Sequence, residues 1–355
     1  MAEFKNPLSR SISKSTVLHY CVKKYYFSTY SNYLKNIDTW LRNDAMVSKN
    51  IKSLAMRLWE CLHDLMSDYL HLVKENQDST ENIEKTKISL ITKMNRDFQI
   101  SKVRDYTKYN SDIKFWLTEH YYKENIDDLY EKWKDSILES FDNFCKSELN
   151  TEIKQYFLDT ENIIFIEPKE KNFESMKIEI DNIPDLMWIN IYAQPDFGII
   201  TKNKKYIIYD RKSGKIPEKD PNSISDQLKV YAYKILQKIG LENLDNIDIQ
   251  AYEVFLKWIV KFGGKITKQD LLDIEEKIID DINIQKWFIL NKNVESNIPM
   301  ESNNFARTND PKKCKNCTFA KVCEEIKKYE KISDMDEIQA PKIDEVEYDE
   351  NDFPF

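Results

Sequence analysis

Three residues in the stretch QPDFGIITKNKKYIIYDRKSG, positions 194–214, have the types and spacing for metal-assisted phosphate chemistry: Asp196, Asp210 and Lys212. Two apolar arms around a polar KNKK predict a β-hairpin, with Pro195-Asp196 opening the first strand and Asp210-Arg211-Lys212 closing the second. Side chains alternate along a strand, so Asp210 and Lys212 share a face, and an antiparallel partner can bring Asp196 beside them. Two close carboxylates repel unless a cation sits between them, and hard oxygen ligands suit Mg²⁺ or Mn²⁺. A lysine at that point can orient an attacking water or offset charge developing on a phosphate.

A second cluster stands near the C-terminal end, where CKNCTFAKVC places Cys314, Cys317 and Cys323 within ten residues. Six cysteines in 355 residues are too sparse for a disulfide framework. A tight group of them points to metal or redox chemistry, and such centres usually take four ligands, one more than this stretch supplies.

The elements that must position these groups are legible in outline. Residues 38–160 carry apolar residues at three- and four-residue spacing, as in SLAMRLWECLHDLMSDYLHLV, with no glycine or proline, and predict a helical layer. From about residue 162 the texture changes to short β-rich runs: NIIFIEP, MKIEI, MWINIYAQPDFGIIT and KYIIYDRKSG. SISDQLKVYAYKILQKIG predicts an amphipathic helix ending at Gly240, IQAYEVFLKWIVKFGG one or two strands, and TKQDLLDIEEKIIDDINIQKW a further helix. The expected fold class is α/β, read as one domain over residues 1–335. It comprises a helical part at about 38–160, a catalytic α/β core at about 161–295 and a cysteine-bearing segment at about 305–333.

The net charge of −8 is concentrated in residues 334–355, which hold nine acids and one lysine; the rest balances at 52 of each sign. A neutral body can carry a local basic groove, so total charge does not exclude a nucleic-acid partner. Residues 1–15 lack an apolar signal core and no window is long and apolar enough to span a membrane, so a cytoplasmic protein is expected. No P-loop is present, so any motor acting with this chain would be a separate protein. Residues 336–355 read as an acidic, mobile tail.

Pro195-Asp196 followed fourteen residues on by Asp210-x-Lys212 resembles the active-site signature of the PD-(D/E)XK nuclease superfamily. Gln227 and Tyr231, four apart on one helix face, resemble the Q-x-x-x-Y motif of its RecB-like branch. Branch members with an iron-sulfur cluster, such as AddB-like nuclease domains and CRISPR-adaptation exonucleases, pair one N-terminal cysteine with three C-terminal ones. HYCVKKYYF supplies Cys21 in a similar setting. The resemblance therefore implies a restriction-endonuclease-like mixed sheet, clasped by a 4Fe-4S cluster on Cys21, Cys314, Cys317 and Cys323. A four-cysteine zinc site has the same ligands and remains the alternative. Cys61 and Cys145 lie in helical segments and read as buried small apolar residues.

The same branch uses a histidine on an upstream helix as a metal ligand. His63 is the candidate here, although Trp59 stands where the family places a small glycine; His71, preceded four residues earlier by Ser67, is the second choice. His19 and His120 read as structural. The implied reaction is phosphodiester hydrolysis with one or two Mg²⁺ or Mn²⁺ ions held by His63, Asp196, Asp210 and the Arg211 carbonyl. Lys212 would activate water, and Gln227 and Tyr231 would position a DNA strand with a single-stranded end, for exonucleolytic cleavage. The rival reading is a non-catalytic nucleic-acid-binding or adaptor protein. The C-terminal Asp352-Phe353-Pro354-Phe355 resembles the tip of bacterial single-stranded-DNA-binding proteins. It implies either docking into partners of that protein, such as a helicase or recombination protein, or folding back over the active site.

Overall fold

The apolar stripe read between residues 38 and 160 dictates where the helices of the first half pack. The computed structural model describes residues 8–34, 39–104, 111–167, 176–178, 189–240, 246–294, 296–315 and 317–326, so the acidic tail and its Asp352–Phe355 tip lie outside the described residues. A short strand β1 (Ser9–Ser11) leads into α1 (Ile12–Tyr20) and α2 (Val22–Tyr30). The helical layer follows as α3 (Thr39–Asn50), α4 (Leu54–Lys74), α5 (Thr80–Lys102), α6 (Thr118–Tyr121), α7 (Asp127–Cys145) and α8 (Glu148–Leu158). Ser53 starts α4 by accepting from Met56 N–H, and the buried stripe Leu58, Leu62, Leu65 and Tyr69 turns one face of that helix to the core.

The strands are β2 (Ile163–Ile166), β3 (Met176–Ile178), β4 (Ile189–Tyr192), β5 (Phe197–Ile200), β6 (Lys205–Lys212), β7 (Asp248–Phe255) and β8 (Val260–Lys265). Helix α9 (Asp226–Ile239) joins β6 to β7, and α10 (Lys268–Trp287), α11 (Pro311–Lys315) and α12 (Ala320–Ile326) complete the chain. β2, β5, β6, β7 and β8 form one mixed sheet in that order, with β6 and β7 parallel and the other neighbours antiparallel. A parallel pair needs a crossover, and α9 supplies it. The run MWINIYAQPDFGIIT splits in two: β4 joins a separate three-stranded sheet with β1 and β3, and β5 joins the large one. Pro195 stands in the gap, where its missing N–H cannot enter a ladder.

Alternation along β6 assigns the two faces of the large sheet. Ile207 and Tyr209 pack with Leu58, Leu62 and Phe141 against the helical layer, whereas Ile208 packs with Leu228, Tyr231 and Ile274 beneath α9 and α10. Burying a side chain such as Leu62 fully contributes about 1.5–3 kcal/mol, so each face holds its helices firmly. A third core joins the first and last described segments: Tyr25, Phe27 and Tyr30 of α2 pack with Phe288, Phe305 and Phe319. Among the described residues no helix is long and apolar enough to cross a membrane.

Candidate active site

The hairpin predicted over 194–214 is β5–β6, and its register sets the site. Phe197 lies opposite Tyr209, which puts Asp196 and Asp210 at the same end of the sheet. Asp210 and Lys212 share the face of Ile208, turned toward α9, and Arg211 takes the opposite face toward α4.

On the α9 side a closed polar network surrounds Asp210. Lys212 Nζ lies 2.9 Å from Asp210 Oδ2 and donates to Gln227 Oε1 at 2.7 Å. Gln227 Nε2 donates to Asp210 Oδ1 at 2.9 Å and to Tyr231 Oη at 2.6 Å, and the Tyr231 hydroxyl donates to Asp210 Oδ1 at 3.1 Å. Asp210 and Lys212, read from strand alternation, and Gln227 and Tyr231, read from the Q-x-x-x-Y resemblance, are thus one hydrogen-bonded unit. Ser225 caps α9 by accepting from Leu228 N–H, which starts the helix where Gln227 and Tyr231 face the strand. Burial pushes the Asp210 carboxyl up to about 6, with Asp196 and Glu253 adding to the shift and Lys212 opposing it. Burial alone would lower Lys212, but Asp210 and Glu253 outweigh it and hold the ammonium charged.

On the α4 side Asp196 divides its oxygens. Oδ2 accepts from the Arg211 backbone N–H at 2.7 Å and from its Nε at 3.4 Å, while Oδ1 lies 3.2 Å from His63 Nδ1. Burial would raise Asp196, yet His63 and Arg211 outweigh it and hold the carboxyl well below the usual range. Burial would likewise lower His63, and Asp196 together with Glu167 tips it upward. Trp59, the departure from a small residue, packs its ring on the His63 imidazole with centroids 3.7 Å apart. An aromatic wall here braces the ring that a glycine would leave free.

Ligand atoms of His63, Glu167 and Asp196 lie within 4.8 Å of one another, and this is the group of that kind among the described residues. An imidazole and two carboxylates converging in buried surroundings are a donor set that fits a divalent ion. His71 lies about two turns further along α4, outside this group. His19 pairs with Asp281 at 2.6 Å and His120 with Ser101 at 2.9 Å, so both are engaged elsewhere. Cys61 and Cys145 have thiols pushed up by burial to about 11 and about 12, which suits apolar packing.

Two acids at the site were not singled out from spacing. Glu167 follows directly after β2 and Glu253 lies in β7, in register with Asp210; Glu253 reaches Lys212 at 3.7 Å and Lys219 at 3.1 Å. Burial would raise Glu253, and the two lysines outweigh it and lower it. The available signal was a single acid inside each apolar run, NIIFIEP and AYEVFL, where a charge needs a partner.

The cysteines gather about 300 residues of sequence into one corner, counted from Cys21 to Cys323. Cys21 separates α1 from α2, and Cys317 and Cys323 pack on the core that α2 helps form, although the four thiols do not converge as closely as His63, Glu167 and Asp196 do. Burial raises the Tyr20 hydroxyl to about 12, with Cys317, Asp310, Cys21 and Cys314 adding to the shift, so Tyr20 stands among three of the four thiols. Hydrogen bonds close the corner: Tyr20 Oη to the Lys313 carbonyl at 3.2 Å and Lys23 N to the Ala306 carbonyl at 3.0 Å.

Among curated proteins none matches this sequence. The family model of the PD-(D/E)XK nuclease superfamily matches residues 114–324, a span that takes in Glu167, the β5–β6 hairpin, α9 and all three C-terminal cysteines.

Proposed function

The chain belongs to the PD-(D/E)XK nuclease superfamily, which implies a metal-dependent nuclease, and on that premise we propose a deoxyribonuclease that degrades DNA from a single-stranded end. The observation that carries this reading is the network in which Asp210, Lys212, Gln227 and Tyr231 hold one another beside the paired Asp196 and His63. A decayed, merely binding relative would have no need to keep a half-buried lysine charged between two buried acids.

His63, Asp196, Asp210 and the Arg211 carbonyl would hold Mg²⁺ or Mn²⁺, which when bound polarises a phosphate and lowers the pKa of water. The side chains supply the rest. Gln227 and Asp210 aim the Lys212 ammonium, which orients a water for in-line attack and offsets the charge that grows on the phosphate. Tyr231 keeps its proton, since burial and the neighbouring Asp210 and Asp196 raise it well above the ordinary value, and so serves as a donor that fixes Asp210. Lys212→Ala or Asp210→Ala should abolish Mg²⁺- or Mn²⁺-dependent cleavage of end-labelled DNA while thermal unfolding stays cooperative; undiminished cleavage would sink the assignment.

For the cysteine corner we propose a 4Fe-4S cluster on Cys21, Cys314, Cys317 and Cys323, supported by the packing of Cys317 and Cys323 on the core that α2 forms directly after Cys21 and by the resemblance to cluster-bearing relatives. The absorption spectrum of anaerobically purified protein separates it from zinc, and Cys21→Ala should lose the cluster bands. The tail reading stands as a proposal too. Deleting residues 341–355 should raise cleavage of naked DNA if the tail folds back, or leave it unchanged and remove a binding partner if it docks.

A further inference from the structure

Glu167 belongs to no part of the P-D, D-x-K and Q-x-x-x-Y series, and the structure nonetheless builds it into the site. Antiparallel pairing of β2 and β5 continues one step past Ile166 and Phe197, so that Glu167 N–H donates to the Asp196 carbonyl at 2.9 Å. From the other side Ser67, one turn after His63 on α4, donates its hydroxyl to the Glu167 carbonyl at 3.3 Å. Both backbone groups of Glu167 are therefore tied to the elements that carry the other two members of the group, His63 and Asp196.

The remaining polar atoms distinguish the two halves of the site. Asp210 Oδ1 accepts from Gln227 and Tyr231, and its Oδ2 lies 2.9 Å from the Lys212 ammonium, an ion pair without hydrogen-bonding geometry. On the α4 side, Arg211 occupies Asp196 Oδ2 and leaves Oδ1 toward His63. His63 is 8% exposed, and its Nε2 is buried with no partner in hydrogen-bonding geometry. Without an ion the imidazole's own proton balances the two carboxylates; the convergence of all three ligand atoms within 4.8 Å is also the arrangement in which a divalent cation can take that proton's place.

We propose that Glu167 is a resident metal ligand, and that His63, Glu167 and Asp196 form an ion site able to bind without Asp210. This rests on the nuclease reading and refines it: His63, Glu167 and Asp196 hold one ion on the α4 side, which leaves Asp210 and the Arg211 carbonyl to hold a second ion beside Lys212, Gln227 and Tyr231. The imidazole shifts the site's preference toward Mn²⁺ over Mg²⁺ or Ca²⁺, which favour all-oxygen shells.

The experiment titrates the full chain with Mn²⁺ in the absence of DNA, reading free ion by electron paramagnetic resonance. Wild type and Asp210→Asn should bind one ion with dissociation constants within about threefold of each other, whereas Glu167→Gln should bind about tenfold or more weakly. Glu167→Asp, which keeps the charge on a shorter stem, should fall between them, and circular dichroism confirms that each variant is folded. Should Glu167→Gln fail to fold, ¹⁴N hyperfine coupling between Mn²⁺ and an imidazole in Asp210→Asn decides the matter. Its presence supports an ion held without Asp210, and its loss overturns that. Mn²⁺ binding unaffected by Glu167→Gln but abolished by Asp210→Asn also overturns the proposal, placing the ion between Asp196 and Asp210. Failure of wild type to bind Mn²⁺ and to cleave DNA would instead overturn the nuclease reading itself.

Discussion

Gln227 is the joint between the strand that carries Asp210 and Lys212 and the helix that braces it, and removing it tests the proposed role of that joint. Its carbonyl oxygen accepts from Lys212 at 2.7 Å and its amide donates to Asp210 at 2.9 Å and to Tyr231 at 2.6 Å. A hydrogen bond to a charged group contributes about 1.5–3 kcal/mol. If one such bond fixes the Lys212 ammonium more tightly in the transition state than in the ground state, its loss slows the chemical step roughly 10- to 150-fold. We therefore expect Gln227→Ala to lower kcat by that factor with little change in KM, because the amide faces the protein's own groups. Tyr231 still donates to Asp210 in the variant, so the carboxylate keeps one partner and the fold should survive. Single-turnover cleavage of end-labelled DNA at saturating Mn²⁺ measures the step directly, with thermal unfolding as the check on folding. A rate within about threefold of wild type would falsify the idea that the amide aims the lysine.

Three further outcomes test neighbouring features. Glu253 neutralises both Lys212 and Lys219, so Glu253→Gln should lower kcat about tenfold, as expected for losing roughly one charge-assisted hydrogen bond, and Glu253→Asp should recover part of it; equal rates in all three proteins would remove Glu253 from the mechanism. Gly263 has φ +126°, and an added Cβ would sit 2.1 Å from the Ala251 carbonyl oxygen, so Gly263→Ala should cost at least about 2 kcal/mol in urea unfolding. Asp281 accepts from Arg10 at 2.7 Å, Ser15 at 2.6 Å and His19 at 2.6 Å; burial would raise its carboxyl, and these partners outweigh it and lower it. Its contribution is then present above the unfolded value near about pH 4 and fades as pH falls through the lower folded value. Asp281→Asn should lose about 3 kcal/mol at neutral pH, with the gap to wild type closing in acid; a gap independent of pH would refute this.

The local geometry of the candidate site was legible in the linear sequence. Period-two alternation alone puts Asp210 and Lys212 on one face of β6, and four-residue spacing puts Gln227 and Tyr231 on one face of α9, because these relations depend only on backbone geometry within one element. His63 and the distant cysteine Cys21 were found through resemblance, since no local rule links residue 63 to residue 196 or residue 21 to residue 323. What the tertiary structure decided is which acids meet. Glu167 reaches Asp196 only because β2 pairs with β5 in one register, and Glu253 stands level with Asp210 only because α9 carries the chain across to a parallel β7. A slip of one residue in either pairing would turn those carboxylates to the opposite face. Register is an agreement between two strands and the cores on both sides of the sheet, so neither strand contains it alone.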